Sequence, residues 1–359
     1  MLRLENVRFS YGRREVLAGV DLEARRGEVL ALLGRTGGGK STCLRLLAGL
    51  EVPASGKVFV GESAVAGDGH VFVAPEARRV ALVFQSLALW PHMTVRQSLE
   101  FVAEPRLESG RAEPAVRGIL EDLGIAHLAE RRPAGLSGGE SALAAVARAL
   151  AQDPRALLLD EPFDGLDSDR RDQIREKVFD LARSRGLACA YVTHMRSEAL
   201  ASVDRLAVMA GGRVVQSDPP GEVYARPLTA EVARLTGDVG LLPAEITATC
   251  IVTPVGPFPR SSAPRAESLG TGWKGFAALR PEALRLAGDG PLSGRVRSAE
   301  FRAGRWRLGV RVGGPGAGQL ADGHGRVELL RGLPVAAGHS RGVRRAEDRP
   351  ARAVRVAAV

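Results

Sequence analysis

Residues 34–41 read Gly-Arg-Thr-Gly-Gly-Gly-Lys-Ser and follow an unbroken apolar run at 29–33. No other stretch limits the possible folds as much. A short continuous apolar run closed by a turn signal marks a strand buried on both faces, as in a parallel sheet. A helical pattern with Leu44, Leu46 and Leu47 comes next, so the order is buried strand, Gly-rich loop, helix. The G-x-x-x-x-G-K-[ST] spacing in that order suits phosphate. Gly37, Gly38 and Gly39 permit backbone conformations that aim successive N–H groups at phosphate oxygens. Lys40 is placed to reach the outer phosphates, the helix N-terminus adds positive potential, and the Ser41 hydroxyl can ligate Mg2+. Gly34, Arg35 and Thr36 open the loop and Thr42 follows it, which makes all of 34–42 candidate phosphate contacts. Lysine is rare here, at positions 40, 57, 177 and 274 among 50 basic residues, so its presence in the loop is informative.

The apolar runs at 156–159 and 188–192 each follow a helical segment, which predicts an α/β core with a mostly parallel sheet. Residues 2–9 and 16–22 alternate around the turn at 11–14, and 205–209 with 213–216 read as a closing hairpin. The run at 157–159 ends in Asp160 and Glu161. At a strand end these two acids are either a solvated loop or a pair in which Asp160 holds Mg2+ through water and Glu161 polarises an attacking water. Beside a phosphate loop the second alternative is favoured.

Residues 136–150, LSGGESALAAVARAL, carry two readings. As structure, Ser137 is an N-cap, Glu140 its reciprocal partner three residues on, and the rest an Ala/Leu-rich helix. As chemistry, Ser-Gly-Gly at a helix N-terminus is a phosphate site.

At 359 residues the chain exceeds a single core, so two domains are expected. Residues 241–359 hold 19 basic and 9 acidic side chains and account for the net charge of +9. Such a surplus suits nucleic acid, anionic lipid or an acidic partner, with a solvated Arg-rich surface the favoured reading, and without interleaved aromatics no nucleic-acid partner is expected. Cys43, Cys189 and Cys250 are few and odd in number, which argues for a reducing compartment and against a disulfide framework or zinc site. No run of about 18 uncharged apolar residues occurs, so any membrane association is expected to be peripheral. Residues 251–272 are rich in Pro, Ser and Gly, and short β-like runs at 294–296 and 305–312 predict a small β domain. The weakly patterned tail from about His339 is expected to be frayed.

Taken together, residues 1 to about 237 resemble the ATP-hydrolysing subunit of an ABC transporter, with motifs in the family's order. The resemblance implies a P-loop NTPase fold with a helical subdomain over 1–237, a linker and start of the next domain over 238–272, and an OB-like or TOBE-like all-β regulatory domain over 273–359. It implies ATP and Mg2+ as ligands. Tyr11 stands where the family stacks an aromatic on adenine. Gln85 matches the glutamine that approaches Mg2+ and the attacking water and links the site to the permease. Asp164–Asp167 is similar to the loop that crosses the dimer interface, with Asp167 a nucleotide-site candidate. His194 is similar to the histidine that contacts the γ-phosphate.

In that family Ser137, Gly138 and Gly139 would meet the γ-phosphate held by a second copy, so two chains make two sites. Residues 89–95, Leu-Trp-Pro-His-Met-Thr-Val, are similar to importers of ferric iron, polyamines, inorganic anions and sugars, and residues 273–282 to the start of their regulatory β domain, with Arg280 expected to pair with Glu282. The implied partners are a second copy, transmembrane permease subunits and, indirectly, a solute-binding protein, on the cytoplasmic face of the inner membrane. The chain departs from the family at Ala142 and Leu143, where Gln-Arg is usual, at Glu140, and at Arg35 in the loop. Two rival readings remain at this point: an ABC-type ATPase unconnected with transport, and a weakly active regulatory ATP-binding module.

Overall fold

The computed structural model describes residues 1–106, 111–253, 256–263, 266 and 268–280, together with the backbone of five strands between 284 and 358. It divides into two compact units, Met1–Val223 and Tyr224–Val359.

In the first unit, β1 (Leu2–Tyr11) and β2 (Arg14–Ala24) form the expected hairpin, paired from Leu2↔Ala24 to Tyr11↔Arg14. The turn narrows to Gly12 and Arg13, with Gly12 at φ 59°. β3 (Val29–Gly34) is buried at every position and leads into α1 (Lys40–Ala48). β4 (Ser55–Val60), β5 (Ser63–Gly67) and β6 (His70–Val71) complete an antiparallel sheet in the order β2-β1-β4-β5-β6. After β7 (Val80–Val83) come the helices α2 (Val95–Ala103), α3 (Ala112–Asp122) and α4 (Gly138–Leu150). The chain continues through β8 (Ala156–Asp160), α5 (Ser168–Ser184), β9 (Ala188–Thr193), α6 (Arg196–Leu200), β10 (Arg205–Ala210) and β11 (Arg213–Asp218).

The second sheet has the order β11-β10-β3-β9-β8-β7, parallel throughout except for β11. Its order places the sequence-distant β8 and β3 on either side of β9. Leu33 pairs with Thr193, Asp160 with Val192 and Val83 with Leu159. The carboxyl ends of β3, β7, β8 and β9 therefore share one sheet edge, where parallel α/β sheets bind their ligands. That edge receives the phosphate loop, the segment at Gln85, Asp160 with Glu161, and His194.

One buried cluster runs from the hairpin (Leu4, Leu17, Val20) through α1 (Leu44, Leu46, Leu47) to the parallel sheet (Leu30, Leu32, Leu158). Each such side chain contributes about 1.5–3 kcal/mol relative to exposure, so the helix behind the phosphate loop is held by its whole apolar face. Its C-terminal end is closed by Arg78, which is buried and donates to Leu46 O at 2.9 Å and Leu47 O at 3.3 Å. A cation on the last carbonyls of a helix satisfies orphan acceptors and opposes the dipole. The three cysteines are free thiols, and burial pushes those of Cys43 and Cys189 up to about 12. No helix among the described residues is long and apolar enough to cross a membrane.

The second unit begins inside α7 (Pro220–Ala225), ahead of position 237. The cause is Arg280, whose guanidinium stacks on the Tyr224 ring at 4.1 Å and donates to Ala233 O at 2.9 Å and Thr236 Oγ1 at 2.9 Å. These contacts bind α8 (Ala230–Thr236) to the end of a strand far along the chain. β12 (Gly240–Ile246), β13 (Cys250–Thr253), β14 (Gly256–Pro259) and β15 (Lys274–Leu279) form an antiparallel sheet ordered β14-β13-β12-β15. Most of the Pro/Ser/Gly-rich stretch is thus bracketed by paired strands. A second antiparallel sheet holds β16 (Leu284–Ala287), β17 (Leu292–Arg302), β18 (Arg305–Gly313), β19 (Val327–Arg331) and β20 (Ala353–Ala358), in the order β16-β20-β17-β18-β19. The chain end expected to fray includes β20, which pairs with β17 from Leu292↔Val356 to Arg295↔Ala353. Residues 339–352, and the Glu282 expected to pair with Arg280, lie outside the described residues.

Candidate active site

The phosphate loop is shaped by close approaches that exclude side chains. A Cβ on Gly34 would lie 2.6 Å from Met209 O, and one on Gly39 would lie 2.5 Å from Leu17 Cδ2. Gly37 and Gly39 have φ of 77° and 94°, the left-handed region that glycine adopts without strain. Gly39 is the N-cap of α1 and has no side chain to accept from the first-turn N–H groups. A helix end of this kind suits an anion.

Lys40 is 5% exposed, and its Nζ donates to Gly34 O at 2.9 Å and Arg35 O at 3.2 Å. Burial lowers its pKa, and the Glu161 and Asp160 carboxylates oppose that shift. Ser41 Oγ donates to Asp160 Oδ1 at 2.7 Å, across 119 residues of sequence. Thr42 is buried in the first turn. A cleft of about 250 Å3 opens beside the loop, lined in part by Arg14, Val16, Arg35, Thr36, Gly211 and Gly212.

Glu161 follows β8 with φ 50°, an unusual conformation for a long side chain, and its N–H donates to Val192 O at 3.2 Å. His194 Nδ1 lies 3.1 Å from Glu161 Oε2. The loop carrying His194 is tied down from below: Thr193 Oγ1 accepts from Met195 N at 3.0 Å and donates to Glu198 Oε2 at 2.5 Å. Tyr191 also donates to Glu198, and Arg171 pairs with the same carboxylate at 3.5 Å. Gln85 Nε2 donates to Asp164 Oδ2 at 3.3 Å. The ligand atoms of Glu161, Asp164 and His194 all fall within 4.8 Å of one another.

Tyr11 sits at the rim, 44% exposed. Its hydroxyl donates to Glu51 Oε1 at 3.0 Å and accepts from Arg45 of α1 at 3.4 Å, and its ring meets Phe9 edge-on at 4.8 Å. Ser137 caps α4 in a full capping box: its Oγ accepts from Glu140 N at 3.4 Å, and Glu140 Oε2 accepts from Ser137 N at 2.7 Å. A Cβ on Gly139 would lie 2.8 Å from Ile174 Cδ1 and one on Gly138 3.1 Å from Leu166 Cδ2, so α4 packs closely on α5 and the loop before it.

Of the residues expected from sequence, 34–42, Gln85, Asp160, Glu161 and His194 meet at one sheet edge. None of the described hydrogen bonds or ion pairs joins Ser137, Gly138 or Gly139 to that group. Asp167 is exposed at the N-cap of α5 with no side-chain cap bond. Sequence reasoning missed Asp164 as a partner of Gln85. It also missed Glu198 beneath His194, because a buried carboxylate is recognisable only through the partners that satisfy it.

The family model described as ABC transporter matches residues 17–164. A spermidine/putrescine import ATP-binding protein, PotA, of Oleidesulfovibrio alaskensis is 38% identical over 84% of this chain and 83% of its own length. An Fe(3+) ions import ATP-binding protein, FbpC, of Rhizobium etli is 36% identical over 84% of each chain. The chain belongs to the ABC transporter ATP-binding proteins. An sn-glycerol-3-phosphate import ATP-binding protein, UgpC 2, of Rhizobium johnstonii is 42% identical over 66% of this chain and 67% of its own. Among solved structures, cbiO1 of Clostridium perfringens, part of an ABC transporter complex, matches with a TM-score of 0.57 at 28% identity, over 65% of this chain and 92% of that one. As an ABC ATPase the chain binds and hydrolyses ATP.

Proposed function

We propose that the protein is the ATP-hydrolysing subunit of an importer for a small solute, that it works as a homodimer against transmembrane permease subunits on the cytoplasmic face of the inner membrane, and that the second unit regulates it. The single observation that carries the site assignment is the Ser41–Asp160 contact beside the Glu161–His194 pair. The close relatives are importer subunits for polyamines, ferric ions and glycerol phosphate, which supports uptake of a small charged solute without choosing one. Exposed Phe84 and Phe101 beside the Gln85 and α2 segments offer apolar surface for a permease.

In this reading the N–H groups of 37 and 39–41 and the Lys40 ammonium hold the β- and γ-phosphates of ATP. Ser41 and Asp160 present hard oxygen donors 2.7 Å apart, a set that fits Mg2+, with Gln85 completing it. The ion would neutralise developing charge on the phosphates. Glu161 accepts the proton of the attacking water, and His194 holds Glu161 in place through Nδ1, with its other ring nitrogen toward the γ-phosphate. Tyr11 stacks on the adenine. Ser137, Gly138, Gly139 and Asp167 act on the nucleotide held by the second copy, so that ATP closes the dimer and hydrolysis reopens it.

Purified full-length protein should hydrolyse ATP in a Mg2+-dependent manner. Glu161→Gln should lower turnover by about 10²–10⁴-fold while ATP still binds. Equal turnover in the two proteins would overturn Glu161 as the base, and failure to co-purify with any permease from detergent-solubilised membranes would overturn the transport assignment.

A further inference from the structure

The segment that carries Gln85 is held in a costly shape. Leu87 and Ala88 both lie in the left-handed region, at φ 58° and 44°, where a side chain collides with the backbone. Within the turn, Leu87 N donates to Phe84 O at 2.8 Å and Ala88 N to Ser86 O at 2.7 Å. Two left-handed residues in a row persist only where the surroundings over-determine them.

What holds them is Arg148, one turn from the end of α4. Its two terminal nitrogens donate to Ala88 O at 2.6 Å and Leu87 O at 3.0 Å, a fork on the carbonyls of both strained residues. Its guanidinium also lies over the Trp90 ring, 4.8 Å from the centroid, and Trp90 in turn meets Phe101 of α2 edge-on at 5.4 Å. Burial lowers the arginine's pKa, so the cation is drawn out of water into these contacts. A planar fork with a stacked face is geometry that lysine cannot reproduce.

α4 is the helix whose first residue follows Ser137. We propose that Arg148 is a positioning residue for hydrolysis: it locks the turn that holds Gln85 to α4, so that Gln85 and the Ser137–Gly139 end of α4 move as one body. The proposal rests on the assignment of Gln85 to the hydrolytic site. Physically, the glutamine reaches its own chain's nucleotide while the far end of the same helix faces the nucleotide on the second copy. The clamp would make both groups arrive or withdraw together.

The test uses the full-length protein and ATP turnover measured across ATP concentrations. Arg148→Gln should lower kcat by about tenfold, the scale of a lost coupling contact, with KM for ATP changed less than about twofold because Lys40 and its loop are untouched. Ala88→Gly lessens the need for the clamp, since glycine takes this φ freely while Leu87 stays strained; added to Arg148→Gln it should restore part of the lost turnover. Combined with Gln85→Ala, Arg148→Gln should cost nothing further, as expected of two residues acting as one unit. Arg148→Lys should lie close to Arg148→Gln, and it serves in the same combinations where Arg148→Gln fails to fold.

Multiplying losses in the double variant, or a folded Arg148 variant that Ala88→Gly leaves unimproved, would overturn the clamp. Wild-type turnover in Gln85→Ala alone would instead sink the assignment of Gln85, an outcome that glycine rescue of Arg148→Gln keeps separate.

Discussion

Two helix N-termini in the first unit carry glycine, Gly39 as the cap of α1 and Gly138–Gly139 as the first turn of α4, yet they are built in opposite ways. α1 begins at a glycine with no capping side chain, and the lysine of its first turn is 5% exposed and held by carbonyls of its own loop. α4 begins at an exposed serine whose own capping box already satisfies two donors. The first end has no capping side chain on its first-turn donors and a cation fixed in place, which suits it to bind phosphate without a second molecule. The second is stable without a ligand and has an accessible hydroxyl, which suits a surface completed by another molecule. A capping box and a phosphate contact are therefore compatible at Ser137, since a hydroxyl can accept from Glu140 N and still donate outward.

The comparison can be broken most directly at Lys40. Lys40→Ala removes charge-assisted bonds of roughly 1.5–3 kcal/mol each, so ATP affinity measured by titration should fall by at least tenfold. Unchanged affinity would show that α1 is not self-sufficient. At Ser137 the two roles separate. Ser137→Asp keeps an N-cap of equal rank and, in the proposed dimer, would place a carboxylate toward the phosphate on the second copy; thermal stability should hold while turnover falls by about tenfold or more. Normal turnover in that variant would remove α4 from the chemistry.

Smaller effects test how α4 is anchored without the usual Gln-Arg pair. Ala142 is fully buried, so Ala142→Gln should overpack the helix and cost about 1–3 kcal/mol in chemical denaturation. Leu143 is half-buried, and Leu143→Arg should stay within about 0.5 kcal/mol. A rise in turnover with both changes would show that the helix is under-anchored as it stands. Smallest is Glu140. The Ser137 backbone N–H holds its carboxyl below the ordinary 4.5. Its contribution is thus complete above that value and is lost as pH falls through the lowered pKa. Glu140→Gln should flatten that acid-side dependence of the melting temperature, and an unchanged dependence would mean the box is not formed in solution.

Much of this was legible in the chain. The apolar runs at 29–33, 156–159 and 188–192 are buried parallel strands because only a doubly covered sheet tolerates unbroken apolar sequence. The S-x-x-E box at 137–140 and the G-x-x-x-x-G-K-S loop are local patterns whose partners lie within a few residues. Other features were not legible. Trp90 was legible only as part of the importer-like stretch 89–95, and the structure makes it the platform for Arg148. Arg78 and Arg148, two arginines among many, look like solvated charge until a carbonyl far away in sequence is placed against each. β12 and β15 pair across a Pro/Ser/Gly-rich stretch that reads as a linker, because strand pairing is decided by the partner and not by the intervening composition.

By itself the sequence determined the chemistry available at each point: which backbone can cradle phosphate, which strand must be buried, which helix starts where. Those are matters of local sterics and periodicity, set within a few residues. Only the tertiary structure decided that Ser41 meets Asp160, that Glu161 meets His194 and Gln85 meets Asp164, and that Arg148 takes hold of Leu87 and Ala88. The order β3-β9-β8-β7 brings those groups together, and strand order follows from how the whole core packs.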